Sequence, residues 1–217
     1  MKLHHAVILL MVVCFASGCA TGSSQRSVKT PCCTTNTLHT AFALTDKSLY
    51  QLDSTWTNDT GHSLKLSALQ GRVQVVAMFF ASCQYACPVI VHNMKRLEAA
   101  LPKTAQTNVH FVLVTFDTQH DTPEALRTYR EHQELPTDRW ALLRAAPDDT
   151  LELAALLGVK YKREATGQFA HSNLITVLNA NGEIIHQQAG LNRDINETVK
   201  AIERAVAAAQ EHHPAHE

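Results

Sequence analysis

An α/β fold built around one central sheet is what this sequence predicts, and three stretches carry the prediction. The segments "VQVVAMFFA" (73–81) and "VHFVLVTFD" (109–117) are runs of apolar, β-favouring residues, long enough for strands buried on both faces. Between them, from Val89 to Leu101, the residues Ile90, Met94, Leu97 and Leu101 recur at helical spacing. Strand, helix and strand in that order make a βαβ unit.

The other elements follow from local signals. "WTNDTGHSLKL", which begins at Trp56, reads as a hairpin around Asp59, Thr60 and Gly61, and "LSALQGR" as a turn into the first buried strand. Pro88 stands where a first helical position tolerates proline. "DTPEAL" opens a helix over 122–134, with Pro123 at its start and Leu126, Tyr129 and Arg130 continuing it. "WALLRA" is a short strand, and "DDTLELAALLG" a helix with acidic residues at its start and Gly158 as its stop. "SNLITVLNANGEIIH" is a hairpin about Asn181 and Gly182, and "DINETVKAIERAVAAA" a final amphipathic helix. Strand, cysteine-bearing turn, helix, strand, then a closing hairpin with a helix, is the thioredoxin-like plan, here with an N-terminal β-hairpin extension. The domain is expected over 46–209, with 210–217 a disordered tail that holds His212, His213 and His216.

At 217 residues, 45% hydrophobic and 18% charged, the chain has room for one well-buried domain plus extras. Its composition excludes a disordered chain and a multi-span membrane protein. The first residues differ from the rest: "MKLHHAVILLMVVCFASGCA" has a basic start, an apolar run from Ala6 to Phe15, then small residues. This is a secretory signal over 1–18, with too short a core for a stable membrane span. Its ending "ASGC" is similar to the lipobox of bacterial lipoproteins, which implies that Cys19 is acylated on sulfur and becomes the mature N-terminus. Ala16 departs from that pattern, where Leu is usual. Residues 19–45, rich in Ser and Thr, are then a flexible tether. The expected location is the periplasmic side of a bacterial envelope, with a lipid anchor holding the chain to a membrane. Loss of the signal leaves 18 basic against 20 acidic residues, a formal charge of −2, and nothing in that balance calls for nucleic acid.

Export changes how the cysteines are read, because an oxidising compartment draws thiols towards disulfides unless a reductant or a metal holds them. With Cys14 and Cys19 set aside, Cys32, Cys33, Cys83 and Cys87 remain. Cys32 and Cys33 are adjacent, a poor fit to disulfide geometry, and read as spare thiols in the tether. Cys83 and Cys87, in "FFASCQYACPVIVHNMKRL", form a buried disulfide, an electron-passing dithiol or two ligands of a metal. Pro88 biases Cys87 away from helical angles, which places Cys87 near the helix cap and Cys83 in the turn before it. Unpaired amides at the helix end favour thiolates there, and thiolates serve both redox exchange and soft metals. The spacer of Gln84, Tyr85 and Ala86 is longer than that of thioredoxin-type oxidoreductases; such a turn can leave room for an ion between the sulfurs and can still close to a disulfide.

The stretch "FFASCQYACP" resembles the C-x-x-x-C-P motif of the Sco/SenC family, thioredoxin-fold proteins that handle copper during assembly of cytochrome c oxidase. "VTFDTQHDTPEALRTY", "LAALLGVKY" and "FAHSNLITVLNANGEI" resemble further segments of that family in the same order, so the likeness spans about 50–206. It implies that Cys83, Cys87 and His171 bind copper, and two thiolates with an imidazole do suit Cu(I) and can hold Cu(II). His171 is expected at the start of a strand. The family often has Asp before this histidine, and Ala170 stands there instead, which would remove a contact that orients the ring. Asp117 matches an acidic family position, either tuning the site from outside or capping the next turn. Cys32 and Cys33 could add an accessory copper site.

The resemblance implies a membrane-tethered metallochaperone binding one copper ion. Its partner would be a copper-receiving oxidase subunit or another copper chaperone. The alternative is a thiol-disulfide reductase, with Cys83 and Cys87 as its redox-active pair, keeping a client's cysteines reduced. A peroxiredoxin-like peroxidase fits less well, because Phe80 occupies the position of that family's threonine.

Overall fold

In the computed structural model of the protein, residues 44–211 are described. The expected signal and tether, Cys14, Cys19, Cys32, Cys33 and the terminal histidines lie outside the described residues. The strands are β1 (Trp56–Asn58), β2 (Ser63–Leu64), β3 (Val73–Phe79), β4 (Val109–Thr115), β5 (Trp140–Arg144), β6 (Tyr161–Arg163), β7 (Phe169–His171), β8 (Leu174–Leu178) and β9 (Ile184–Ala189). The α-helices are α1 (Ala86–Ala100), α2 (Lys103–Gln106), α3 (Pro123–His132), α4 (Pro147–Leu157) and α5 (Asn196–Glu211). One seven-stranded sheet runs β2-β1-β5-β4-β3-β8-β9, and β6 pairs only with β7.

The middle of the sheet is parallel, β3 with β4 and β4 with β5, while β8 joins β3 antiparallel. All seven residues of β3 are buried, so the run lacks the alternation of a strand with one wet face. Val75 sits between Phe111 of β4 and Val177 of β8. Phe111 stacks on its neighbour Trp140 at 4.9 Å between ring centroids. Each such side chain taken out of water contributes about 1.5–3 kcal/mol. On α1 the buried residues Ile90, Val91, Met94 and Leu97 form one stripe, and α5 packs against α1, β3, β8 and β9.

The expected order of elements holds, and the fold is α/β and thioredoxin-like. The N-terminal hairpin continues the main sheet, since β1 pairs with β5 as well as with β2. Three differences concern the site. Helix α1 starts at Ala86, so Cys87 and Pro88 lie inside its first turn rather than at its cap. Proline costs nothing there, because the first four N–H groups of a helix have no intrahelical partner. Strands β3 and β4 end at Phe79 and Thr115, which leaves Phe80, Ala81, Phe116 and Asp117 in loops at the carboxyl ends of parallel strands. Ligand sites of open α/β sheets sit at such ends. Finally, the hairpin of β6 and β7 was not foreseen, and His171 ends β7 rather than starting β8.

Candidate metal centre

The loop after β3 reverses at Ala81 and carries Cys83 back to the start of α1. Asp121 fixes its beginning, with Oδ2 accepting from the Ala81 amide at 2.9 Å and also from the Thr115 hydroxyl at the end of β4. Cys83 then does the work of a helix cap: Tyr85, the N-cap residue, makes no side-chain cap bond, and the Cys87 amide donates to Cys83 Sγ at 3.3 Å. A sulfur thus takes one of the amides that a Ser or Asp oxygen would ordinarily accept.

The third group arrives from the far end of the chain. His171 is paired with Tyr161 across the β6–β7 hairpin, which turns at Gly167 with φ of 83°. Just beyond β7, the Ser172 amide donates to the Lys160 carbonyl at 2.8 Å. The imidazole is walled by Phe116, whose ring centroid lies 5.2 Å away, and by Phe80, edge-on at 6.1 Å. Phe169 packs on both phenylalanines and Tyr161 stacks on Phe116. This apolar wall fixes the ring's plane and excludes water from one side.

His171 Nδ1 lies 3.1 Å from the Ser172 carbonyl oxygen. A carbonyl can only accept, so Nδ1 carries the proton and Nε2 presents its lone pair. That nitrogen is 3.9 Å from Cys87 Sγ. The ligating atoms of Cys83, Cys87 and His171 all lie within 4.8 Å of one another, a separation at which one ion could touch all three. The orienting bond comes from the main chain, and Ala170 is exposed, as alternation along β7 requires. A carboxylate at 170 would point away from the ring on this strand.

Burial divides the two cysteines. Both are free thiols, with Cys87 fully buried and Cys83 half-buried. Desolvation pushes the Cys87 thiol far up, against a smaller lowering by the Phe80 backbone amide, and Cys83 and Asp121 add to the rise. The expected thiolate-favouring effect of the helix end is therefore outweighed at Cys87, which is a thiol until something replaces its proton. A soft metal does that, because a coordinating thiol is deprotonated outright. Beside the β6–β7 hairpin, Lys160, Tyr161, Lys162, Ala170, His171 and Ser172 line a shallow cavity of about 410 Å³.

Asp117 is buried, and its carboxylate accepts from His120 Nδ1 at 2.8 Å. Its carbonyl accepts from the His120 and Asp121 amides, so it organises the turn between β4 and α3. Sequence reasoning did not single out Asp121 or the aromatic wall, whose apolar residues read only as core.

The SCO1/SenC family model matches residues 43–207. A protein from Stutzerimonas stutzeri, provisionally named copper-binding, is 32% identical over 84 residues, 39% of this chain and 40% of that protein's length. The chain thus aligns with less than half of this relative. Among solved structures, a SCO1/SenC family lipoprotein from Bacillus anthracis superposes with a TM-score of 0.65 at 24% identity, over 75% of this chain and 99% of its own. ScoI of Arabidopsis thaliana with copper bound gives 0.62 at 17%, over 70% and 96%. At these identities the superpositions establish the fold, and the match along most of the chain establishes kinship: this chain belongs to the SCO1/SenC family.

Proposed function

We propose that this chain is a membrane-tethered copper metallochaperone, in which Cys83, Cys87 and His171 hold one copper ion and pass it to the copper centre of cytochrome c oxidase. The observation that carries the reading is the convergence of two sulfurs and an imidazole nitrogen within 4.8 Å, from elements 84 residues apart. Two sulfurs and a nitrogen, low in number and soft, suit Cu(I) and accommodate Cu(II). The provisional name of the Stutzerimonas stutzeri relative and the copper-bound ScoI of Arabidopsis thaliana support the choice of metal. Transfer would exchange one protein's thiolates for another's at the metal, with no bond of a substrate broken. The receiving partner would be an oxidase subunit or a second copper chaperone.

The decisive experiment is anaerobic copper titration of the purified chain. About one copper should bind, and Cys83→Ala, Cys87→Ala and His171→Ala should each weaken it by more than the roughly 10–100-fold of an outer contact. Wild-type affinity in His171→Ala would remove the third ligand. The anchor has its own test, since Cys19→Ser should leave the membrane fraction or stall in processing.

A second reading, thiol-disulfide reductase, is favoured by the same two free sulfurs. A reductase has no need of His171, so reduction of a model disulfide at wild-type rate by His171→Ala, together with absent copper binding, would select it.

A further inference from the structure

The β6–β7 hairpin brings His171 to the sulfurs, yet its two strands pair only with each other. It is held to the domain by its aromatic packing on Phe116 and Phe80. Among the described residues, one hydrogen bond joins it to the domain besides the approach of His171 to Cys87: Arg163 Nη1 donates to Gln119 Oε1 at 2.8 Å. The Arg163 guanidinium also lies over Phe169, 5.8 Å from the ring centroid. Phe169 is the cross-strand partner of Arg163 and stands two residues before His171, on the same face of β7. The bond to Gln119 therefore grips the face of the hairpin that carries the imidazole.

Gln119 belongs to the turn between β4 and α3, and that turn is braced. The Thr118 carbonyl accepts from Arg144 Nη2 of β5 at 2.8 Å, and the Asp117 carbonyl takes the His120 and Asp121 amides at 3.2 and 3.0 Å. Two residues beyond Gln119, Asp121 holds the start of the cysteine loop through the Ala81 amide. One short turn thus grips both halves of the site, the cysteine loop by Asp121 and the histidine hairpin by Gln119.

We propose that Gln119 and Arg163 are positioning residues for His171: through their bond the β4–α3 turn sets how far the imidazole stands from Cys83 and Cys87. The inference rests on the reading of His171 as a copper ligand. The gain is preorganisation, because an arm already held near its bound place loses less freedom when the metal arrives. Both side chains are exposed, so the bond adds little to global stability and its effect is confined to the hairpin.

Gln119→Ala in the full chain removes the acceptor and leaves Arg163 over Phe169, whereas Gln119→Glu keeps an acceptor there. Amide hydrogen exchange of the metal-free chain should be several-fold faster across 161–171 in Gln119→Ala, unchanged in β3 and β4, and as in wild type in Gln119→Glu. With Cu(I) alone as the probe, affinity should fall about 3–10-fold in Gln119→Ala, the worth of one hydrogen bond, and return in Gln119→Glu. Added to His171→Ala, Gln119→Ala should lower it no further. Equal exchange across the hairpin overturns the proposal, and so does an unchanged affinity in a chain that binds copper, or a loss of full size without His171. Faster exchange throughout the domain, with a lowered thermal midpoint, assigns the bond a general structural role and also overturns it. If the wild-type chain takes up no copper, the metallochaperone reading fails, and hairpin exchange alone decides whether Gln119 holds the arm.

Discussion

A single carboxylate, that of Asp121, ties the cysteine loop to the end of β4, and it does so while buried. Desolvation raises its ionisation above the ordinary carboxylate range, although the Thr115 and Ala81 bonds pull the other way. An acid with a raised folded value contributes stability that is complete below its unfolded pKa and is lost as pH rises through the folded one. Asp121→Asn cannot titrate, and its amide oxygen, placed where Oδ2 lies, can still accept from both the Ala81 amide and the Thr115 hydroxyl. Its stability relative to wild type should therefore improve as pH rises from the ordinary carboxylate range through the raised folded value of Asp121. Asp121→Ala strands two donors and should cost about 1–3 kcal/mol. Urea unfolding of the three proteins across that range checks both statements, and a gap between Asn and Asp that ignores pH would refute the first. Cys83 and Cys87 were legible because their spacing before Pro88 carries thiol chemistry, and His171 because its segment resembles the family's histidine-bearing stretch. Asp121 was not, because its role depends on Ala81 and Thr115, which only the folded chain brings to it.

At the scale of elements, the long apolar runs and the turn signals were legible, and the β6–β7 hairpin was not. Its sequence "YKREATGQFAH" is mostly polar and has only Tyr161 and Phe169 to bury, so no run or alternation announces it. It forms because Tyr161 and Phe169 pack on Phe116, a contact between distant segments. The start of α1 was misplaced for a related reason, since a Cys83 sulfur caps it where no capping side chain does. Helix α3 is held in a way its periodicity concealed. Arg130 occupies a buried position, and its guanidinium makes a paired contact with Asp59 in the β1–β2 turn, Nε to Oδ2 at 2.5 Å and Nη2 to Oδ1 at 2.9 Å. Its Nη1 donates to the Leu135 carbonyl at 3.2 Å. Removing one partner leaves the other charge buried and unpaired, so Asp59→Ala should cost about 3–5 kcal/mol. A denaturation midpoint unchanged by that substitution would mean the pair carries no net stability.

Across the whole molecule, the site joins one loop that can close on itself to a hairpin that cannot follow. Cys83 and Cys87 belong to a single turn, and a disulfide needs their sulfurs to approach from within 4.8 Å to about 2 Å. Closure would cost the metal both charged donors and leave His171 alone, so the oxidised chain should not load copper. Burial also sets the order of events, since Cys83 is half-buried and Cys87 closed off. An oxidant or partner disulfide would meet Cys83 first, and Cys87 would resolve the mixed disulfide. Bound copper opposes this by stabilising the reduced pair. At a free concentration about 1,000 times its dissociation constant it adds about 4.1 kcal/mol, which raises the midpoint of the pair by about 90 mV. The measurement is a redox titration of the chain with Cys32→Ser and Cys33→Ser, with and without Cu(I), read by thiol labelling of Cys83 and Cys87. Equal midpoints, or copper uptake by the verified disulfide form, would separate the two sulfurs from the metal and leave the reductase as the reading to pursue.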